Sequence, residues 1–600
     1  MIQLPKQFNY LPLLLSIILV LGAFLFIRDL DSLSLWVDEG WSVYVADSPH
    51  LTDALELVAE DVHPPLYFVG LYLWRQFTGE SVFTYRYLTI LVVLLAGAVI
   101  YRAGRALFNS TAGLIALSLY LLHDLILVLG QEVRQYSLMQ LLVVLTVWVY
   151  WRFVEKPSRN RAFVFVLVGT ALLWTLYWGA FVLFALVIHA FLYKRKSLRL
   201  IIPAFFVIGI LFIPWLPVLI EQITNVSDGL GHALPNSRLG YETLAFQYLG
   251  RPEIIFGALA IVGVFATLKS WRPSSKTTLL ALVVLVTMFV PIAINHFMAI
   301  LSFRAMSITI PVLVILMAHT LAQFGRSERF IMVSIIILQS LFTTSAGAPL
   351  HLPLPEAAQF LIDHSDNDDV ILIETWFDSY ALSYYLDAED ENVDYVLSEV
   401  ERRNDEIADV GVYLADRLDG VDGVWVIAFS NRDDIRPLLM EAGFINTGNS
   451  RVETDLNIPI ELWRFDRQSD DAITNFEDVF TLHSAQTRIG EWELAVNLLW
   501  SALIQPEHDY TMSVFLLNNE GILVAQHDGY PFDNLAPTST WTDGQLIFDS
   551  HLLNIDALPS GNYQLGVKIY RVADGSITVL PVSDCGANCD FVIVDTVELP

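Results

Sequence analysis

Adjacent carboxylates, Asp38 and Glu39, stand just past the first apolar run of the chain, and Asp61-Val62-His63-Pro64-Pro65 follows about two dozen residues later. Ionisable groups at a membrane edge are costly to place there, which points to a task. Asp38 can serve as general base toward an acceptor hydroxyl or amine; it can equally cap a surface helix starting at Glu39. Asp61 and His63 both suit a divalent metal, which would help neutralise a phosphate leaving group. Without a metal, His63 can face that phosphate as hydrogen-bond donor or imidazolium. The third reading is a helix start with no ligand.

Three arginines stand apart from the basic clusters: Arg86, Arg134 and Arg304. Guanidinium groups bind phosphate bidentately, and they also snorkel to lipid headgroups. Glu132 and Tyr136 flank Arg134. Asp124, next to His123, falls within an apolar run, so a cavity or a partner is expected to face it rather than lipid.

The elements that must position these groups are membrane helices. The chain has 600 residues, is 54% hydrophobic and has a mean hydropathy of +0.52. That length and hydropathy fit a polytopic membrane protein. Apolar spans centre near Leu19, Leu95, Leu119, Val144, Val168, Ala185, Ile208, Ile261, Leu285, Val314 and Ile337, about eleven in all. The fifth and sixth divide at Tyr177-Trp178-Gly179. Lys/Arg clusters at 102–105, 152–161, 194–199, 269–276 and 326–329 then all face the cytoplasm if the N-terminus is inside. The C-terminal half is expected outside. The first apolar run is too long and bulky for a signal peptide.

Two outer loops are expected, 31–85 and about 217–252. The run after Pro65 is too short to span and is expected to lie along the membrane surface. Pro65 suits the first turn of such a helix. Trp41, Trp74 and Tyr85 fit an interfacial aromatic belt.

The net charge of −30 concentrates in the second half and argues against nucleic acid as a partner. Residues 351–466 alternate short apolar strands with amphipathic helices, including a polar helix at about Glu401–Leu418, and read as a small α/β domain. No Gly-rich turn follows the first strand, so no nucleotide site is expected. Residues 475–600 alternate as a β-sandwich. Carbohydrate binding and a structural role are both open for it. The two cysteines, Cys585 and Cys589, read as a local disulfide if that end is outside the cytoplasm, or as free thiols.

Trp36-x-Asp38-Glu39, Asp61-x-His63-Pro64-Pro65-Leu66-Tyr67 and Glu132-x-Arg134-x-Tyr136 together resemble the polytopic glycosyltransferases of the GT-C fold. Within them the chain resembles the bacterial RgtA/B/C/D-like branch, related to protein O-mannosyltransferases and the aminoarabinose transferase of lipid A. The resemblance covers about residues 10–345, within a transmembrane domain placed at 1–345. It implies a polyprenyl-phosphate-linked sugar donor, transfer at the outer face of the cytoplasmic membrane, and inversion. Residue by residue, it implies Asp38 as base accompanied by Glu39, with His63, Arg134, Tyr136 and Arg304 at the donor phosphate. The aminoarabinose transferases have Lys-Pro-Pro where this chain has His63-Pro64-Pro65, so a cation there depends on protonation of His63. The Trp-Trp-Asp motif of oligosaccharyltransferases is missing from the sequence. The acceptor is left open among glycan, lipid and protein. A transporter or flippase would instead show inverted repeats and broken mid-membrane helices, and a scaffold would leave the first loop without a role.

Overall fold

The computed structural model describes residues 11–225, 274–325 and 352–599, apart from short stretches within them. The chain divides into two units, Met1–Leu33 with Trp41–Leu350, and Ser34–Gly40 with His351–Pro600.

The first unit is helical. Its elements are α1 (Leu11–Ile27), α2 (Val37–Ala46), which passes from the second unit into the first, α3 (Leu51–Glu60), α4 (Leu66–Thr78), α5 (Val82–Leu107), α6 (Ser110–Leu121), α7 (Asp124–Leu129) and α8 (Tyr136–Glu155). Then come α9 (Arg159–Thr175), α10 (Gly179–Tyr193), α11 (Leu198–Phe212), α12 (Leu216–Asn225), α13 (Ser275–Ile294), α14 (Phe303–Met306) and α15 (Ile310–Leu321). Nine of the expected span centres fall inside these helices, and the other two, Ile261 and Ile337, lie outside the described residues. Among the described residues, five helical runs are long and apolar enough to cross a membrane.

Local sequence sets the helix starts. Ser81 accepts from the Thr84 amide while Thr84 answers to the Ser81 amide, a reciprocal cap on α5. Asn109, Ser158 and Ser274 cap α6, α9 and α13 through side-chain oxygens. Helices α5 and α6 approach closely where Gly104 meets Gly113; a Cβ on Gly113 would lie 2.6 Å from the Tyr101 carbonyl.

Asp124 is not within a continuous span. The helix breaks at Leu122, and His123 restarts it by accepting the Leu125 amide on Nδ1. Asp124 thus sits in the first turn of α7, where the exposed N–H ends favour a carboxylate.

In the second unit, α16 (Leu354–His364) and α17 (Trp376–Glu389) accompany a five-stranded mixed sheet of β1 (Val370–Ile373), β2 (Tyr395–Leu397), β3 (Gly423–Ala428), β4 (Phe444–Val452) and β5 (Ile460–Arg467), in order β2-β1-β3-β5-β4. Strand β1 runs parallel to β2 and β3, whereas β5 is antiparallel to both β3 and β4. The expected polar helix near 401–418 lies outside the described residues except for its last two positions.

Strands β6 (Thr474–Phe476), β7 (Phe480–Ile489), β8 (Glu493–Ala502), β9 (Thr511–Leu517), β10 (Leu523–Gly529), β11 (Leu546–Asn554), β12 (Gly561–Ala573), β13 (Ser576–Val579) and β14 (Val592–Leu599) form two sheets. One runs β11-β8-β7-β6; the other runs β10-β9-β12-β13 with β14 also on β12. Alternate residues of β8, β9 and β12 fill one core with Trp500 and Trp541, as period-two patterning requires. Cys589 is disulfide-bonded.

Candidate active site

The stretch 33–85 holds three short helices tied down by buried polar groups. At its entry, Arg86 in the first turns of α5 donates from Nη1 to the carbonyls of Leu30 and Leu33, both at 2.8 Å. Arg86 is buried and ties down loop backbone, so the phosphate and headgroup readings of this arginine give way to a third. At its middle, Asp47 accepts from Tyr85 Oη at 2.5 Å and pairs with Arg75 Nε at 2.8 Å.

Tyr85 and Trp41 are therefore not belt residues at a lipid interface. Both are buried, with their polar tips on carboxylates of the same loop. A ring with one polar end looks the same in sequence whichever partner it meets. Trp74 is half-buried and donates to the Thr84 carbonyl.

Asp61 ends α3. Its Oδ2 accepts from Trp41 Nε1 at 3.2 Å and lies 2.9 Å from His63 Nδ1. Burial pushes the Asp61 carboxyl up, but the neighbouring His63, their hydrogen bond and the Arg134 charge outweigh it and leave it below the ordinary carboxylate value. Pro65 occupies the N-cap of α4 rather than its first turn. Among the described residues no group of three or more His, Cys, Asp or Glu side chains could hold a metal. Asp61 Oδ2 and His63 Nδ1 bond to each other.

Arg134 is buried and donates from Nη1 to Ser42 Oγ at 3.2 Å. Its electrostatic reach extends to Asp61. Glu132, also buried, pairs with Arg304 at 3.6 Å through Arg304 Nε, and its carbonyl accepts the Arg134 amide at 2.8 Å. The structure thus brings Asp61, His63, Arg134, Glu132 and Arg304 together from the first loop, the start of α8 and α14. Tyr136 opens α8, buried against the helical core.

Asp38 and Glu39 lie in the first turn of α2, Asp38 half-buried and Glu39 fully buried. The helix starts at Val37, so Asp38 is inside it and not its cap. Glu39 Oε2 accepts the Trp36 amide at 3.4 Å. Within the second unit this turn is pinned from both ends. The Leu35 amide donates to Tyr385 Oη at 2.7 Å, and Gly40 packs so closely on α17 that a Cβ there would lie 2.4 Å from the Ala381 amide nitrogen.

Sequence reasoning missed a brace on α3. Gln222 of α12 donates from Nε2 to the Val58 and Ala59 carbonyls at 3.2 and 3.1 Å, satisfying the open acceptors of a helix end. Tyr177 Oη donates to Gln222 Oε1 and accepts from Trp215 Nε1. A glutamine on an apolar helix that follows Trp215 was the available signal.

In fold the chain is similar to proteins of the GT-C fold. Residues 62–220 match the family described as dolichyl-phosphate-mannose-protein mannosyltransferase. The apo structure of ArnT from Cupriavidus metallidurans is similar over 75% of this chain and 97% of its own, at 12% identity and a TM-score of 0.50. The oligosaccharyltransferase of Archaeoglobus fulgidus, in complex with Zn and sulfate, is similar over 94% of this chain and 98% of its own, at 9% identity and a TM-score of 0.46. A variant of the arabinofuranosyltransferase AftD from Mycobacteria is similar over 95% of this chain and 62% of its own, at 10% identity and a TM-score of 0.42. No curated protein matches the chain.

Proposed function

We propose that the protein is a membrane glycosyltransferase that moves a sugar from a polyprenyl-phosphate donor to an acceptor at the outer face of the cytoplasmic membrane, with inversion. The observation that carries this reading is the buried Arg134 within electrostatic reach of Asp61, with Arg304 paired to Glu132 two residues before Arg134. Guanidinium groups bind phosphate through two parallel bonds, and a lipid phosphate presents such an anion at a membrane edge. The match over 62–220 to a family described by a dolichyl-phosphate sugar supports the donor class.

In this reading Asp38 takes the proton of the acceptor, whose oxygen or nitrogen attacks the anomeric carbon opposite the phosphate. The bond from that carbon to the phosphate oxygen breaks, and the lipid phosphate leaves with its electron pair, its charge met by Arg134 and Arg304. No covalent enzyme intermediate forms. We assign Asp38 this role as the half-buried carboxylate in the first turn of α2. Glu39, buried behind it, holds the backbone of the turn. His63, oriented by Asp61, is assigned to the donor phosphate rather than to a metal, because Asp61 Oδ2 already serves His63 and Trp41. Tyr136 is assigned to the same phosphate from the start of α8.

The test is Asp38→Asn, with sugar transfer followed by mass spectrometry of envelope glycans, lipids and proteins. The expected result is loss of one glycan modification with normal membrane insertion. Undiminished transfer would overturn the assignment.

A further inference from the structure

The second unit buries a group of oxygen atoms that the proposed reaction does not use. Ser365 and Asp366 form the corner between α16 and β1, and only 3% and 9% of them is exposed. Asn497 of β8 and Ser550 of β11, each 3% exposed, stand directly opposite one another in the β8–β11 register. Opposed residues of an antiparallel pair share one face. Phe548, two residues before Ser550, lies on that face too, and the Arg464 guanidinium sits 4.6 Å from its ring. This face therefore packs against the mixed sheet. Asn497 Nδ2 donates to the His364 carbonyl at 3.2 Å, which brings its amide to the Ser365–Asp366 corner.

Three oxygens at this place have no hydrogen-bond partner, Ser365 Oγ, Asn497 Oδ1 and Ser550 Oγ, and the Asp366 carboxylate beside them meets the Asn497 amide. Native proteins leave few buried polar atoms unmatched, and each one costs about 1–3 kcal/mol. Charge is unbalanced as well. Arg464 is bound by both Asp369 and Asp466, and Asp369 Oδ2 also accepts the Asp366 amide. Three carboxylates thus surround one guanidinium. His364, stacked on Phe360, directs Nδ1 to the Phe360 carbonyl.

An all-oxygen set with one carboxylate, one amide carbonyl and two hydroxyls, lacking one positive charge, matches the ligand preference of a hard cation. Calcium tolerates irregular geometry and water in its shell, whereas magnesium demands a near-ideal octahedron. We propose that Ser365, Asp366, Asn497 and Ser550 form a calcium site that clamps the α/β layer to the β-sandwich. The ion supplies the missing charge and occupies the oxygens that no donor reaches.

The experiment uses the full chain in detergent, stripped with EGTA and titrated with calcium chloride, with magnesium chloride as control. Calorimetry reads stoichiometry and affinity, and a thermal melt reads stability. The expected result is one saturable calcium site per chain and a midpoint raised by about 5 °C or more. Asp366→Asn and Ser550→Ala should each weaken calcium binding at least tenfold, with the EGTA-treated melts still cooperative. Two variants guard against one failing to fold. Absence of saturable binding, or binding that persists equally in both folded variants, would overturn the proposal and leave the oxygens to buried water.

Discussion

The indole Nε1 of Trp41 lies 3.2 Å from Asp61 Oδ2, joining α2 to the end of α3. The same oxygen meets His63 Nδ1. A carboxylate anchored this way fixes the imidazole and brings the two short helices into one frame. Asp61→Asn removes the charge from both bonds and is expected to cost about 1–3 kcal/mol in the loop. The Asp61 carboxyl titrates below its ordinary value, so its contribution is full above the unfolded value near 4 and is lost as pH falls through the lower folded value. Proteolysis of loop 31–85 should stay constant from neutral pH down to about 4 and rise below it. In Asp61→Asn it should be raised throughout.

Gly40 admits no side chain. A Cβ would meet the Ala381 backbone at 2.4 Å, and backbone cannot swing aside as a flexible side chain can. Gly40→Ala is expected to cost about 1–3 kcal/mol as overpacking and to displace the turn carrying Asp38. The expected kinetic signature is a fall in kcat with little change in donor KM, because in the proposed reading the turn carries the base and not the phosphate contacts. Equal kcat for Gly40→Ala and the parent would separate the turn from catalysis.

Arg134 and Arg304 should divide in the opposite way. Each gives a charged hydrogen bond to the donor phosphate in the proposed reading, about 1.5–3 kcal/mol. Arg134→Met and Arg304→Met are each expected to raise donor KM by about 10- to 100-fold. Arg134→Lys should recover only part, since an ammonium lacks the planar fork. Titration of the variants with a short-chain polyprenyl phosphate reads the same loss without turnover.

The legible part of this site was local. Asp61-x-His63-Pro64-Pro65 predicted a turn leading into a short helix, and α4 follows it at Leu66–Thr78. The fifth and sixth spans were divided at Tyr177-Trp178-Gly179, and α9 and α10 divide there. Alternation in the C-terminal region foretold the strands of both sheets. The braces were hidden because they join residues with no local signature. Gln222 reaches Val58 across 164 positions, and Arg86 reaches Leu30 across 56. An arginine that holds carbonyls and one proposed to hold phosphate share the same hydropathy context, so only packing separates Arg86 from Arg134.

Asp366 provides a pH prediction of opposite sign to that of Asp61. Its carboxyl is raised from 3.8 to about 7, so between those values the folded state holds a proton that the unfolded chain releases. Stability of the second unit in EGTA should therefore be highest at the acidic end of that window and fall as pH rises toward about 7. At about 1.4 kcal/mol per pH unit, the upper limit on this loss is about 4 kcal/mol. Burial raises the Asp466 carboxyl as well, against its bonds to Arg464 and Thr447, so the slope is assigned to Asp366 only by comparing a variant with the parent. Asp366→Asn removes the titrating group, so the variant should show a flatter stability profile across the window and exceed the parent at its alkaline end. Thermal melts at a series of pH values, with chelator present throughout, read both outcomes. An unchanged slope in the variant would place the titration on another group of the second unit.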